Sequence, residues 1–597
     1  MEKFADLAAK TLNQVLDSPA HSISAEELEI PPDPKLGDFA FPCFKLAKQF
    51  RKGPPQVAQE LVSKIQALPE AMDALKKIGM RVAATGPYVN FLVNDDVAVG
   101  FLLSQILSGS GLGSFGKLPA ESRGCWVLEY SSPNVAKPFQ IYHLRPTALG
   151  AAMDRIGRFR GFRMASINHL GDWGTQYGKI AVALQIFPKD LPPNPTIKDL
   201  VDIYVKFHAA AEKDPTLDDR AREAFAKLEN DDPEMTALWK KCVDISMKEF
   251  NRIYDRLGVH FDHFWGESFY KHQLTPLLED LRKKGLLVES EGAWIVNVTD
   301  TEGKELPPCI LQKKDGATIY ATRDVAAALY RYKHFKFDRM TYIVGGEQRL
   351  HFQQVFGVLR KMGMEWASKC EHVPTGLYRF KDAKMSTRKG NFVTLEDVLA
   401  LAKERVVTLM EEREKNARPG DAPVEISDSE KEEITEAIAV GAVMFHDLST
   451  DPARDVEFDV ERVVDFEGET GPYLQYAHTR CLSLLRKAQA KNPKLPKEIG
   501  YDAALVSQLS NPYEVLLTKQ LGQLPVHLER TLKFAKASQL AHYLIDVTKA
   551  FGAFYRECQV ITEDEKLTRA RLMLVEGTRR ILAQGLGLLG IPTPAKM

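Results

Sequence analysis

Residues 126–174 switch between two hydrophobic patterns, and that switch restricts the fold more than any other stretch of the chain. Trp126 to Tyr130 has the length and side chains of a strand. A turn, Ser131-Ser132-Pro133-Asn134, follows it. After His143 the period changes, and Leu149, Met153, Ile156 and Arg160 share a helical rhythm. A second strand-like run, Met164 to Ile167, ends at Asn168-His169-Leu170-Gly171-Asp172-Trp173-Gly174. Strand, turn, helix, strand is the rhythm of a parallel sheet covered by helices. It returns at Ile319-Tyr320 and at Tyr342-Ile343-Val344, ahead of Gly345-Gly346.

The remaining chain must form further modules, because 597 residues exceed one core at roughly 150 residues per domain. The first block opens with Ala5, Leu7, Ala8, Leu12, Val15 and Leu16 at helical spacing and closes on a strand, Tyr88 to Val93. The Gly-Ser-rich run Ser108 to Gly116 reads as a linker. Residues 180–260 are polar and helical, with prolines clustered at 188–195, and read as an insertion. From about 396 the pattern is helical to the end, where Leu574, Val575, Ile581, Leu582 and Leu586 mark one long amphipathic helix.

Charge and cysteine usage exclude several classes. A formal net charge of -1 argues against a generally basic nucleic-acid binder while leaving room for a local basic face. The seven cysteines include no CxxC pair, so neither a zinc ribbon nor a disulfide framework is signalled, and reduced thiols fit a cytoplasmic location. No stretch approaches the ~18 apolar residues of a membrane span.

Two segments carry candidate chemistry. Ser131 to His143 lies between a strand end and a helix start, the crevice where open α/β sheets bind ligands and where backbone N–H groups hold phosphate. Taken alone, it reads equally well as a polar turn with no ligand. Lys384-Met385-Ser386-Thr387-Arg388-Lys389-Gly390 packs its cations ahead of Thr394-Leu395-Glu396-Asp397, a helix cap. Such a loop can neutralise a polyphosphate, although a short charge run is more often simply solvated.

Together the two segments resemble the paired signatures of class I aminoacyl-tRNA synthetases. The words between them resemble the arginyl-tRNA synthetase family: Glu129-Tyr130-Ser131-Ser132-Pro133-Asn134, Gly171-Asp172-Trp173-Gly174-Thr175-Gln176, Tyr320-Ala321-Thr322-Arg323-Asp324, Gln348-Arg349-Leu350-His351, and Gly471-Pro472-Tyr473-Leu474-Gln475-Tyr476-Ala477-His478. The resemblance runs nearly end to end. It implies a multidomain α/β protein in which a Rossmann-type parallel-sheet catalytic domain lies between an α+β N-terminal module and an α-helical bundle that binds the anticodon. The implied bounds are 1–115 for the N-terminal tRNA-recognition module, 116–395 for the catalytic domain, 396–465 for a helical connector and 466–597 for the anticodon-binding domain. The implied reaction ligates L-arginine to tRNA through arginyl-adenylate, with ATP and its Mg²⁺ and no zinc. The protein is expected to be a cytoplasmic monomer with no membrane contact and no protein-held metal.

Carried over by position, the arginine pocket falls on Glu129, Asn134, Tyr320, Asp324 and Gln348. Carboxylates suit it, because a guanidinium presents parallel N–H donors. Tyr320 and Asp324, four residues apart, would share one helical face. The ATP site falls on Gln140, Tyr142, His143, Lys384, Met385 and Ser386, with Arg388 and Lys389 joining His143, Gln140, Lys384 and Ser386 in catalysis. On the tRNA side, Lys533, Lys536, Lys549, Arg556, Arg579 and Arg580 are candidate phosphate contacts, and Tyr473 and Phe554 candidate stacking partners.

One departure stands out. The family's His-x-Gly-His reads Gln140-Ile141-Tyr142-His143 here. Gln140 keeps a donor without a charge. Tyr142 replaces the glycine that lets adenine approach the backbone, so its phenol either blocks the base or flanks it. A paralogue that binds arginine or tRNA without making adenylate is the alternative these two residues raise.

Overall fold

A computed structural model describes residues 1–16, 22–31, 33–108, 113–380, 393–415 and 427–597. The chain forms two units. Residues 1–117, 473–587 and 593–597 make up one, and residues 118–472 with 588–592 the other.

In the first unit, β1 (Phe39–Pro42), β2 (Met80–Thr85) and β3 (Tyr88–Val93) form an antiparallel sheet in the order β1-β3-β2. The helix Asp95–Leu107 buries Ala98, Val99, Leu102, Leu103 and Ile106. Its burial partners include the helix Pro512–Leu521, so both ends of the chain share one core. Lys519 on that helix lies 3.1 Å from Asp38 and 2.9 Å from Asp95, and donates to the Val93 carbonyl at 3.1 Å. Arg530 donates to the Leu28 carbonyl.

The second unit is built on five parallel strands: β4 (Cys125–Glu129), β5 (Arg163–Asn168), β6 (His263–Phe264), β10 (Arg339–Gly345) and β11 (Cys370–Thr375). Their order is β11-β10-β4-β5-β6. The chain therefore builds outward from β4 in one direction and from β10 in the other. The junction of β4 and β10 is the switch point, and in open α/β sheets ligands bind there, beyond the carboxyl ends of the strands. Cys125, Val127, Ala165, Ile167, Met340 and Tyr342 face a core shared with the helices Lys271–Lys283, Tyr320–Phe335 and Arg349–Lys361. The helix Leu144–Phe159 packs on β4, β5 and β10 at very close range. A Cβ at its Gly150 would fall 2.1 Å from the Tyr130 ring, and one at Gly157 would fall 2.5 Å from Met164 Sδ. That proximity brings the start of the helix to the switch point.

Smaller elements complete this unit. Residues 176–257 form four helices, Gln176–Ile186, Ile197–Ala211, Thr216–Glu229 and Pro233–Leu257. The last is capped by Asp232, whose side chain accepts from Met235 N, with Pro233 at the first helical position. An antiparallel sheet joins β7 (Val288–Ser290), β8 (Ala293–Val296) and β9 (Cys309–Gln312). β12 (Tyr378–Phe380) pairs in parallel with β13 (Val456–Phe458).

Two expectations change. Ile319-Tyr320 is not a strand: Ile319 precedes the helix Tyr320–Phe335, whose Ala321, Ala326, Ala327 and Ala328 favour helix over the two β-prone residues before them. The region after 396 also contains β13, three residues too short to leave a periodic trace. All seven cysteines are unpaired. Among the described residues, no helix is long and apolar enough to cross a membrane.

Candidate active site

The carboxyl ends of β4, β5 and β10 open into a cavity of about 1090 Å³. Every described residue read from the sequence as a site residue lines it: Glu129, Asn134, Gln140, Tyr142, His143, Tyr320, Asp324 and Gln348. Lys384, Met385, Ser386, Arg388 and Lys389 lie outside the described residues. The described residues nearest to either side of that loop, Phe380 and Val393, both line the cavity.

The turn after β4 is strained. Ser131, Ser132 and Ala136 have φ of 72°, 48° and 62°. Non-glycine residues held there cost about 1–3 kcal/mol each and persist only where neighbours hold them. The neighbours here are specific. Ser131 Oγ is 2.8 Å from the Tyr254 hydroxyl and 2.8 Å from Thr147 Oγ1, and the Ala136 amide donates to Ser246 Oγ at 3.0 Å. The turn also pairs with the one after β5: the Val135 amide donates to the Gly171 carbonyl, and the Gly171 amide to the Pro133 carbonyl, each at 3.1 Å. A Cβ at Gly171 would lie 2.3 Å from Asn134 Oδ1, so only glycine lets Asn134 sit where it does.

At one end of the cavity, Gln140 to His143 form a single turn of 3-10 helix capping the Leu144–Phe159 helix. The Gln140 amide donates to His143 Nδ1 at 3.0 Å, which leaves Nε2–H as the donor of a neutral ring. Burial, and then the charge of Lys137, pulls the His143 imidazole down to about 4. Tyr142 is 47% exposed, and its ring centre lies 4.3 Å from that of His143 at 58°. Leu377, 56% exposed, with Ile141, Phe380 and Val393, makes the surrounding wall apolar. The backbone beyond the undescribed loop returns to this turn: the Ile141 amide donates to the Val393 carbonyl, and the Leu395 amide to the Phe139 carbonyl, each at 3.1 Å. Thr394 caps the following helix, accepting from the Asp397 amide at 3.2 Å. On the loop's other side, Tyr378 donates to Asp447, whose carboxylate lies 3.4 Å from Arg145 Nε.

The other end is acidic. Glu129, Glu267, Asp324 and Glu347 line the cavity, and no lysine or arginine among the described residues does. Tyr320 and Asp324 occupy one face of the Tyr320–Phe335 helix. The Tyr320 side chain is 56% exposed and packs against His351, ring centres 4.8 Å apart. Asp324 Oδ2 lies 2.6 Å from His351 Nε2, and Oδ1 lies 3.6 Å from His169 Nε2. Burial opposes the Asp324 carboxylate. The hydrogen bond and charge of His351, with His169 and Arg331, outweigh burial and hold it below the usual carboxylate range. Glu267 accepts from Arg323 Nη1 at 2.9 Å, yet burial raises it above the usual range. Glu129 is 3% exposed and accepts from Arg331 through Oε2, which leaves Oε1 as its less engaged oxygen. Among the described residues, no group of three His, Cys, Asp or Glu side chains is arranged to hold a metal ion.

His169, Glu267, Arg331, Glu347 and His351 complete this end and were not singled out from the sequence. Arg331 carried a usable signal: Tyr320, Asp324 and Arg331 fall on one helical stripe at i, i+4 and i+11. Among the residues read as tRNA contacts, Phe554 is fully buried and cannot stack on a base. Arg580 is buried, and both it and Arg579 pair with Glu576 at 2.7 Å. Tyr473 is half-buried, while Lys533, Lys549 and Arg556 are exposed. Exposed Arg480 lies over the rings of Tyr476 and Tyr555, at 5.4 and 4.7 Å.

Residues 103–460 match the family model described as tRNA synthetases class I (R), catalytic domain. The chain belongs to the arginyl-tRNA synthetase family. Residues 2–93 match the arginyl tRNA synthetase N terminal domain, and residues 474–597 the DALR anticodon binding domain. The arginine–tRNA ligase of Clostridium perfringens is 41% identical over 597 residues, covering 100% of each chain. That of Halothermothrix orenii is 39% identical over 604 residues, covering 100% of this chain and 99% of the relative. Thermus thermophilus arginyl-tRNA synthetase superposes with a TM-score of 0.81 at 24% identity over 100% of both chains. The Plasmodium falciparum enzyme gives 0.79 at 22% identity, over 100% and 98%. These last two likenesses establish the fold that this member of the family shares.

Proposed function

We propose that the cavity activates L-arginine with ATP and transfers it to the 3′ end of arginine tRNA. The observation that carries this reading is the lining of the cavity. Four carboxylates and no described lysine or arginine line it, which suits a cationic amino acid, while Phe380 and Val393, the described flanks of the basic Lys384–Lys389 segment, line it as well. Asp324 and the less engaged oxygen of Glu129 accept guanidinium N–H groups, Tyr320 packs alongside, and Asn134 and Gln348 orient the amino-acid head. Tyr142 flanks the adenine, and Met385 is read as part of the same ATP site. His143 Nε2–H and the Gln140 side-chain carboxamide donate toward phosphate oxygens. Lys384, Ser386, Arg388 and Lys389 neutralise charge that develops on the polyphosphate.

The arginine carboxylate attacks the α-phosphorus, forming arginyl-adenylate as pyrophosphate leaves. A terminal ribose hydroxyl of tRNA then attacks the carbonyl carbon, and AMP leaves with the bonding pair. No protein nucleophile is needed; the work is positioning and electrostatic stabilisation. Mg²⁺ enters with ATP as its counter-ion. The protein acts as a cytoplasmic monomer, with Tyr473, Tyr476, Tyr555 and exposed lysines of the helical domain meeting the tRNA. The test is charging of tRNA with labelled arginine, ATP and Mg²⁺, with lysine and citrulline as controls. Charging by arginine alone is expected. Absence of charging with tRNA still bound would mean a silent paralogue.

A further inference from the structure

Arg331 is not among the residues that line the cavity, yet it touches the cavity's wall from behind. It stands on the Tyr320–Phe335 helix with none of its side chain exposed. A guanidinium removed from water is tolerated only when paired and hydrogen-bonded, so its partners define its purpose. Nη1 donates to Glu129 Oε2, and Nε donates to the Tyr270 hydroxyl at 3.1 Å. The Tyr270 and Tyr342 rings face it at 5.5 and 5.7 Å. Nη2 approaches His169 Nδ1 at 3.3 Å. That nitrogen also lies 2.9 Å from the Trp265 carbonyl, and the shorter contact makes it the donor to Trp265. The Arg331–His169 approach is therefore electrostatic. Among the described residues, no hydrogen bond is directed at Glu129 Oε1.

We propose that Arg331 is a positioning residue for arginine recognition: it occupies Glu129 Oε2, fixes the carboxylate in the cavity wall, and leaves Oε1 as the single acceptor offered to the substrate. This rests on reading the cavity as an arginine site. A buried arginine of the protein thus meets the same carboxylate as the substrate arginine, one on each oxygen.

The experiment measures charging kinetics of the full chain with Arg331→Met and Arg331→Lys, varying arginine and ATP separately. With Met, KM for arginine should rise by about 10- to 150-fold, as expected for loss of a charge-assisted contact, while KM for ATP stays within about twofold. Lysine keeps the charge but not the fork and should recover part of the loss. Tyr270→Phe, which removes one hydrogen bond to Arg331, is a milder variant should Arg331→Met fail to fold, and it too should raise KM for arginine alone. Equal rises in both KM values, or a loss confined to thermal stability, would overturn the proposal. A wild-type chain that charges no arginine would overturn the cavity reading itself, before any variant is compared.

Discussion

Replacing Tyr142 with alanine tests whether its phenol flanks ATP or obstructs it. Tyr142 projects from the Gln140–His143 turn into the cavity with 47% of its surface exposed. His143 lies against it, ring centres 4.3 Å apart, and apolar Leu377, Phe380 and Val393 belong to the same wall. A base stacked on an aromatic ring is worth roughly 1–3 kcal/mol. Part of the Tyr142 ring is already engaged with His143, so the lower part of that range applies, about 1–2 kcal/mol, or about 5- to 30-fold in affinity. Tyr142→Ala should therefore raise KM for ATP by about that factor and leave KM for arginine unchanged. Tyr142→Phe, which keeps the ring, should behave like wild type. The assay is tRNA charging with ATP varied at saturating arginine and tRNA. An unchanged or lower KM for ATP in the alanine variant would refute the stacking role and mark the phenol as an obstruction.

Three further outcomes follow from the geometry. Asp324→Asn removes the charge bonded to His351 and should raise KM for arginine by about 10- to 150-fold with little change for ATP, measured in the same charging assay. Gly171→Ala places a Cβ 2.3 Å from Asn134 Oδ1 and should displace that side chain, lowering kcat/KM for arginine by up to about 100-fold while the thermal midpoint changes little. Burial pulls the imidazoles of His527 and His478 down to about 3 and about 4, so the unfolded chain binds more protons than the folded one as pH falls below the ordinary imidazole value. Stability that is complete above that value should drain away toward pH 4, at up to ~1.4 kcal/mol per pH unit for each histidine, and His527→Phe should flatten the fall in urea midpoints between pH 7 and 5.

The sequence exposed those parts of the site whose signal is local. The strand ending at Glu129, the turn through Asn134 and the Tyr320–Asp324 spacing each lie within a dozen residues and depend on periodicity or on a turn. Their convergence on one cavity follows from the strand order, which no local pattern states. Glu129 and Arg331 are 202 residues apart and meet only because β4 lies beside β10, with the Tyr320–Phe335 helix packed across them. His169 and His351 escaped notice for the same reason: each is an unremarkable histidine until Asp324 is placed between them. Charge alone left Arg579 and Arg580 as candidate phosphate contacts, with a solvated surface an equal reading. Glu576 stands three and four residues earlier, at the spacing where a helix pairs opposite charges, and it claims both.

The contact between Lys519 and Asp38 spans 481 residues and has a consequence for synthesis. A ribosome adding about 5–20 residues per second makes Asp38 roughly 25–100 s before Lys519. From residue 107 until residue 512 is made, the helix Asp95–Leu107 has its sequence but not the Pro512–Leu521 helix that packs on it, and Ala98, Val99, Leu102 and Leu103 lack that cover. The strands of the parallel sheet lie between residues 125 and 375 and are all made well before Lys519. The nascent chain thus holds every strand of the parallel sheet while its N-terminal core is still open along a single helix, and a translational pause before residue 512 lengthens that exposure.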